Sequence, residues 1–401
     1  MSFDIFLFSS SLSSPPQIGV VSMVYSQSES NAKEVFLFQG IEIDKKSEIS
    51  HLKAVCFLRP TAANISALLA HLRAPRFAEY HIYFTNILPK AFLKQIAEAD
   101  EQEVVRTVQE YFSDFYAVNS DLFTLNIPQT RLLCAPHWGA AQNATFARIV
   151  DGLASTLLAF KKTPVIRYAA ASDLCRRVAT ELASRTKEEN GLFDFPRSDG
   201  EPLLLLLDRR MDPVTPLLMQ WTYQALVHEL LGLHNHRVDL SGAKDAQKEF
   251  KEVVLSPEAD HFFKGVMFQN WGDVASQVHE LLQTYARQNK DNRKMQSFDE
   301  MKDFVENYPQ FKQLQTNACK HMTVASELHR KIDARRLLEV SELEQELACT
   351  DAHSDSVERL LALINDARFA DEDKLRCALL YALRYETVRN EMSTIQVRDG
   401  Q

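Results

Sequence analysis

Between residues 20 and 128, short apolar runs alternate with stretches whose apolar positions fall three and four apart. Residues 34–38 (EVFLF), 53–58 (KAVCFL) and 80–85 (YHIYFT) predict strands, with a further one at 115–118. Residues 62–72 (AANISALLAHL) have helical spacing, and Pro89 suits the first helical position before KAFLKQIAEA. Such alternation predicts an open parallel sheet. Residues 129–145 are irregular and polar and mark a boundary. Beyond it the pattern predicts a helix at 146–161, a strand at 164–168, a helix at 172–187 and a turn at 197–201. Residues 203–207 are five consecutive leucines, the pattern of a strand covered on both faces. Thr215 as N-cap and Pro216 behind it predict a buried helix over 217–231, closed by Gly232. From 233 onward helical periodicity dominates, at 274–288, 298–332, 335–348, 357–365 and 373–388. The fold class is therefore an α/β N-terminal parallel-sheet domain (1–128) and an α/β second domain (129–232). A mainly α-helical third domain follows, in parts 233–345 and 346–401.

Composition narrows the chemistry. The net charge is −9, which argues against a nucleic-acid partner, since such surfaces need positive potential. The six cysteines are scattered without a CxxC, so neither zinc spacing nor a disulfide framework is expected. No run approaches the ~18 apolar residues of a membrane span, so membrane association is expected only through partners. With 11 glycines in 401 residues there is no GxGxxG, P-loop or GxSxG, and HExxH is absent too. No cofactor and no metal are expected, and a monomer is.

The leucine run leads into Asp208, Arg209, Arg210, Asp212, Pro213 and Pro216. Two readings of this polar corner compete. Asp208, Asp212 and His228 could form an acid/base group at a strand's carboxyl end, as in a hydrolase. Alternatively, the carboxylates satisfy loop amides and pair with the arginines, giving a structural corner. The second is favoured, because no nucleophile, glycine loop or ligand set accompanies them.

The stretch LLLLLDRRMDPVTPLLMQWTYQALVHELLG resembles the signature of the SM (Sec-one/Munc-eighteen) family of SNARE-assembly proteins. Asn235, Arg237, Val238, Asp239 and Leu240 continue the likeness. So do the segments SMVYSQSE, AVCFLRPT, EADEQEVV, FVENYPQFK and LEVSELEQELA, and they fit its endosomal branch. The similarity runs over about 20–385. It implies an SM-protein arch and no enzymatic activity. The implied partners are a syntaxin-type SNARE and further SNARE proteins, whose pairing is templated for vesicle docking and fusion. The implied setting is the cytoplasmic side of endosome, trans-Golgi and vacuole membranes. It also implies a chain shortened at both ends. The family opens on a helix and strand where residues 1–16 stand, and it continues past 401 with a returning part of the second domain. An open sheet edge and an exposed half-core are therefore expected, unless residues 5–8 replace the missing strand.

Two surfaces are candidates for binding. Around the helix behind Pro89, Leu88, Phe92, Leu93, Ile96 and Ala97 lie close together. By periodicity they either pack on the sheet or line a groove. By the resemblance, Leu88, Leu93 and Ala97, with Ile96 beside them, fall at the pocket for a syntaxin N-terminal peptide. The second surface is the stripe Met301, Phe304, Val305, Tyr308, Phe311, Leu314, Ala318, Met322, Ala325, Leu328 and Ile332, interrupted by Pro309. Periodicity alone suggests two helices, the second starting at the proline. The resemblance makes Pro309 the hinge of a helical hairpin and Met322 a groove position; Lys312 and Lys320 either attract acidic SNARE helices or are simply solvated. A third possibility is a general helical scaffold without SNARE specificity.

Overall fold

The computed structural model describes residues 5–8, 20–21, 35, 37–41, 49–196, 200–234, 236–243, 250–258, 260–292, 298–350 and 353–385, with backbone only at 5–8, 49–50 and most of 285–314. Two compact units are distinguished, Met1–Asp208 and Arg209–Gln401. The division falls within the polar corner, ahead of the boundary expected at 232.

The first unit opens with strands β1 (Ile5–Phe8), β2 (Leu37–Gly40) and β3 (Ile49–Leu58). Helix α1 (Ala62–Arg73), β4 (Phe77–Phe84), helix α2 (Lys90–Ala99) and β5 (Val105–Glu110) follow. The five strands form one parallel sheet in the order β2-β1-β3-β4-β5. Residues 5–8 thus occupy the place that the resemblance left open, flanked on both sides. The strand expected at 34–38 lies further on, at Leu37–Gly40. Thr61 caps α1 by accepting from the Asn64 amide at 3.3 Å. Ile65, Leu68 and Leu72 of α1 pack on Ala54, Cys56 and Leu58 of β3 and on Tyr80, Ile82 and Phe84 of β4.

Past β5 the chain forms an antiparallel hairpin of β6 (Tyr116–Asn119) and β7 (Leu122–Thr124), so the strand expected near 115–118 stays out of the parallel sheet. Helix α3 (Ala140–Phe160), β8 (Val165–Tyr168), α4 (Asp173–Glu188) and β9 (Leu203–Leu206) complete the unit. The leucine strand is not covered on both faces. In the described residues β8 and β9 form a two-stranded parallel ribbon. Ile166 and Leu204 pack inward on Val150, Ala154, Leu158 and Leu182, while Leu205 is 54% and Leu207 71% exposed. With helices on one side only, strand alternation sends every second leucine into solvent.

The second unit begins with two 3-10 turns, Arg209–Met211 and Thr215–Leu217, the latter where the start of a long helix was expected. The helix itself starts later, as α5 (Tyr223–Leu226), and widens into a π-turn, Val227–Leu231. Gly232 closes it as expected, with φ near +80° and its amide donating to the carbonyls of Val227 and His228. A three-stranded antiparallel sheet follows, β10 (Leu233–His234), β11 (Arg237–Asp239) and β12 (Glu252–Val254), within a region read as helical. Then come α6 (His261–Val266), α7 (Trp271–Asn292), α8 (Phe298–Arg335), α9 (Leu337–Cys349), α10 (His353–Asn365) and α11 (Asp371–Tyr385). Helix α8 runs unbroken through Pro309, so the two-helix expectation fails. Two apolar cores fill the unit. One gathers α5, the small sheet, α6, α7 and α8, and the other gathers α9, α10 and α11.

Candidate partner-binding surfaces

Helix α2 follows Pro89, which fixes the backbone ahead of the first turn. Ile96 (2% exposed) and Ala99 point into the first core, with Phe92 and Leu88 packed partly against it. Leu93 (46% exposed) and Ala97, one turn apart, face outward together. The Leu88 amide donates to Glu110 Oε1 at 2.7 Å, fixing the approach to the helix on the end of β5. Of the expected pocket set, Leu93 and Ala97 share an open face and Leu88 lies half-buried ahead of it. Ile96 is a correction: it is a core residue, because it lies on the sheet-facing side of the helix.

On α8 the side chains are described from Gln315 onward. Ala318, His321, Val324, Leu328 and Ile332 form the buried face, while Gln315, Met322 (40% exposed), Ser326 and His329 face outward. Met322 therefore stands where a partner can reach it. Pro309, Phe311 and the other positions expected at 301–314 fall where the backbone alone is described. Lys320 is a second correction. It is buried, donating to the Val254 carbonyl at 3.2 Å and to Asp260 Oδ2. Its charge is spent inside the protein, so it does not serve as an outward attractor.

Sequence reasoning missed the group around Lys320. Asp260 caps α6, its Oδ1 accepting from the Phe263 amide at 2.9 Å. Its Oδ2 pairs with His321 Nε2 at 2.8 Å, and His321 Nδ1 lies 2.9 Å from the Tyr223 hydroxyl. The consistent pattern has Nε2–H donating to the carboxylate and the tyrosine donating to Nδ1. Burial by itself would raise the Asp260 carboxyl, but the bonds and charges of His321 and Lys320 outweigh it and hold the group well below its usual range. Burial pushes His321 below its ordinary value. The legible signal was an adjacent Lys-His pair inside an apolar stripe.

The polar corner is spent on local structure. Ser172, the N-cap of α4, accepts from the Cys175 amide and donates to Asp208 Oδ2 at 2.6 Å. Asp212 accepts from the Thr215 amide at 3.1 Å, capping the 3-10 turn that Pro216 continues, and takes Arg209 Nη1 at 3.2 Å. Its hydrogen bonds with Thr215 hold its carboxyl below the usual range. Pro213 and Pro216 are exposed in this turn. Beside it, a cleft of about 520 Å³ is lined by Arg209, Met219, His228, Glu229 and Arg376 among others. Arg376 bonds to Glu229, and the Met219 amide donates to the buried Glu344 at 2.9 Å. Asp208 thus supports the N-cap of α4, and Asp212 caps the 3-10 turn.

This combination of a parallel-sheet unit with an outward apolar helix face and a helical unit with one very long helix defines a known class. The sequence model of the Sec1 family matches residues 15–399, and the chain belongs to that family. It is similar to the vacuolar protein sorting-associated protein 45 of Dictyostelium discoideum, at 47% identity over 92% of this chain and 65% of the relative. The Homo sapiens protein of the same name is 45% identical over 92% of this chain and 64% of its own length. The chain thus spans just under two thirds of the length of these curated relatives. Among solved structures, the SM protein Vps45 in complex with the Qa SNARE Tlg2 superposes with a TM-score of 0.87 at 42% identity, covering 98% of this chain and 68% of that one. Sly1p in complex with an N-terminal peptide of Sed5p, at 20% identity and a TM-score of 0.78, shares the fold.

Proposed function

We propose that the chain is a SNARE-binding regulator that grips a syntaxin-type SNARE and templates its assembly with partner SNAREs for vesicle docking and fusion. The observation that supports this most is the 42% identity, over 98% of the chain, to a protein solved with a Qa SNARE bound. The relatives' names, which refer to vacuolar sorting, support an endosomal, trans-Golgi or vacuolar route. The reading is of a binding protein and not an enzyme. It is carried to membranes by its partners; among the described residues no helix is long and apolar enough to cross one. Leu93 and Ala97 are the proposed anchor for the SNARE's N-terminal peptide, since an apolar hot spot in a local pocket is the usual form of such recognition. The outward face of α8 around Met322 is the proposed seat for SNARE helices, with Pro309 as its hinge.

The test is a titration of the full chain with a Qa-SNARE N-terminal peptide, followed by circular dichroism and calorimetry. Leu93→Arg is expected to weaken binding by about tenfold or more, at roughly 1.4 kcal/mol per tenfold, because a charge enters an apolar contact. The melting temperature is expected to be preserved, since Leu93 faces solvent. Unchanged affinity in a folded Leu93→Arg sample would remove this face from the proposal.

A further inference from the structure

An apolar stripe holds a helix against a core but specifies its register weakly. On α8 the apolar positions Ala318, Val324, Leu328 and Ile332 share one buried face, and a slip or roll would still bury apolar groups. Buried polar groups are less permissive, because each has few satisfactory partners and is costly when stranded. Lys320 and His321 supply that constraint. Among the described residues, His321 faces Tyr223 from α5, Asp260 from the start of α6, Lys320 from its own helix, and the rings of Phe262 and Phe263. Asp260 is itself immobilised by the Phe263 amide, and Lys320 is further tied to β12. Met322 follows His321 directly, so it lies about 100° further round the helix, on the outer face.

We propose that His321, clasped between Asp260 and Tyr223, is a positioning residue that sets the register of α8 and so aims the Met322 face outward. The proposal rests on reading that face as the seat for SNARE helices. It adds that partner recognition there is controlled from inside the protein. The neutral imidazole is required, since only it both donates to Asp260 and accepts from Tyr223.

The test uses methionine oxidation by peroxide, read by mass spectrometry on the full chain, with no partner present. In the wild type, Met322 reacts quickly while the buried Met219 and Met267 are protected. His321→Leu is expected to slow Met322 several-fold with Met219 and Met267 still protected, as the released helix turns Met322 inward. His321→Gln keeps one donor and one acceptor and is expected to retain the wild-type rate. Because burial holds His321 below the ordinary histidine value of about 6.5, the wild type should drift toward the His321→Leu behaviour only on acidification beyond that value, while His321→Gln stays flat. An unchanged Met322 rate in folded His321→Leu overturns the proposal. So does exposure of Met219 and Met267 in both variants, which would mean that the cluster merely holds the core together. A parallel titration with the helical part of a Qa SNARE separates the two readings. If the footprint moves as expected, His321→Leu should bind about tenfold more weakly, within the usual range of coupling. If the wild type does not bind at all, the SNARE reading fails while the positioning role stands.

Discussion

Asp114 is 2% exposed and holds two arginines. Arg59 reaches its Oδ1 through Nε at 2.9 Å and Nη2 at 2.7 Å, and Arg148 Nη2 lies 3.2 Å away. Its amide donates to Ser155 Oγ, which donates in turn to the Thr85 carbonyl, tying α3 to the end of β4. Burial lowers the Arg148 guanidinium from its ordinary value, opposed by Asp114. Removing the carboxylate would leave two guanidiniums facing each other away from water. Asp114→Ala is therefore expected to cost the first unit ~3–5 kcal/mol, measured by urea unfolding, where a change within ±0.5 kcal/mol would contradict the account. The same residue-level view separates Leu93 from Ile96. Three positions apart, they were grouped together by periodicity, yet only the path of the sheet beneath α2 decides which one meets solvent.

At the scale of elements, α8 carries the clearest pH consequence. Burial holds His321 below its ordinary value in the folded chain, whereas the unfolded chain takes up that proton near pH ~6.5. The unfolded state then binds more protons, so stability falls as the pH drops below that value. Asp260 works in a lower window: its depressed carboxyl stabilises the fold above the unfolded value of ~3.9, and that contribution is lost only under stronger acid. Melting temperatures should thus decline between about pH 7 and pH 5. Most of the part of that slope due to His321 should vanish in His321→Gln; an equal slope in both proteins would assign it elsewhere. Elements with strong periodicity were legible, including α1, α4 and α9. Others were hidden for physical reasons. Strand β5, VRTVQE, sits half-exposed at the sheet edge, where no apolar run is needed. Thr215 and Pro216 carry a start signal, but Asp212 closes it into one turn, and the helix begins at Tyr223. The Asp260–His321 pair joins elements far apart in sequence, so the Lys-His pair within the stripe does not name its partner.

For the whole molecule, the exposed leucines matter most. Val165, Leu203, Leu205 and Leu207 present apolar surface on one side of the β8–β9 ribbon, relieved by Arg167. Contiguous apolar area of this kind favours association. Leu205→Lys is expected to leave the thermal midpoint nearly unchanged and to reduce concentration-dependent light scattering; a large loss of stability would show that the face is covered in solution. Family and fold class were legible because the signature after the leucines is long and specific. The helix-like run after Asp212 contributes to the core of the second unit. The placement of Ile5–Phe8 has a practical corollary. In the described residues β2 is hydrogen-bonded to β1 alone, so trimming the first eight residues would strip a second strand of its only ladder.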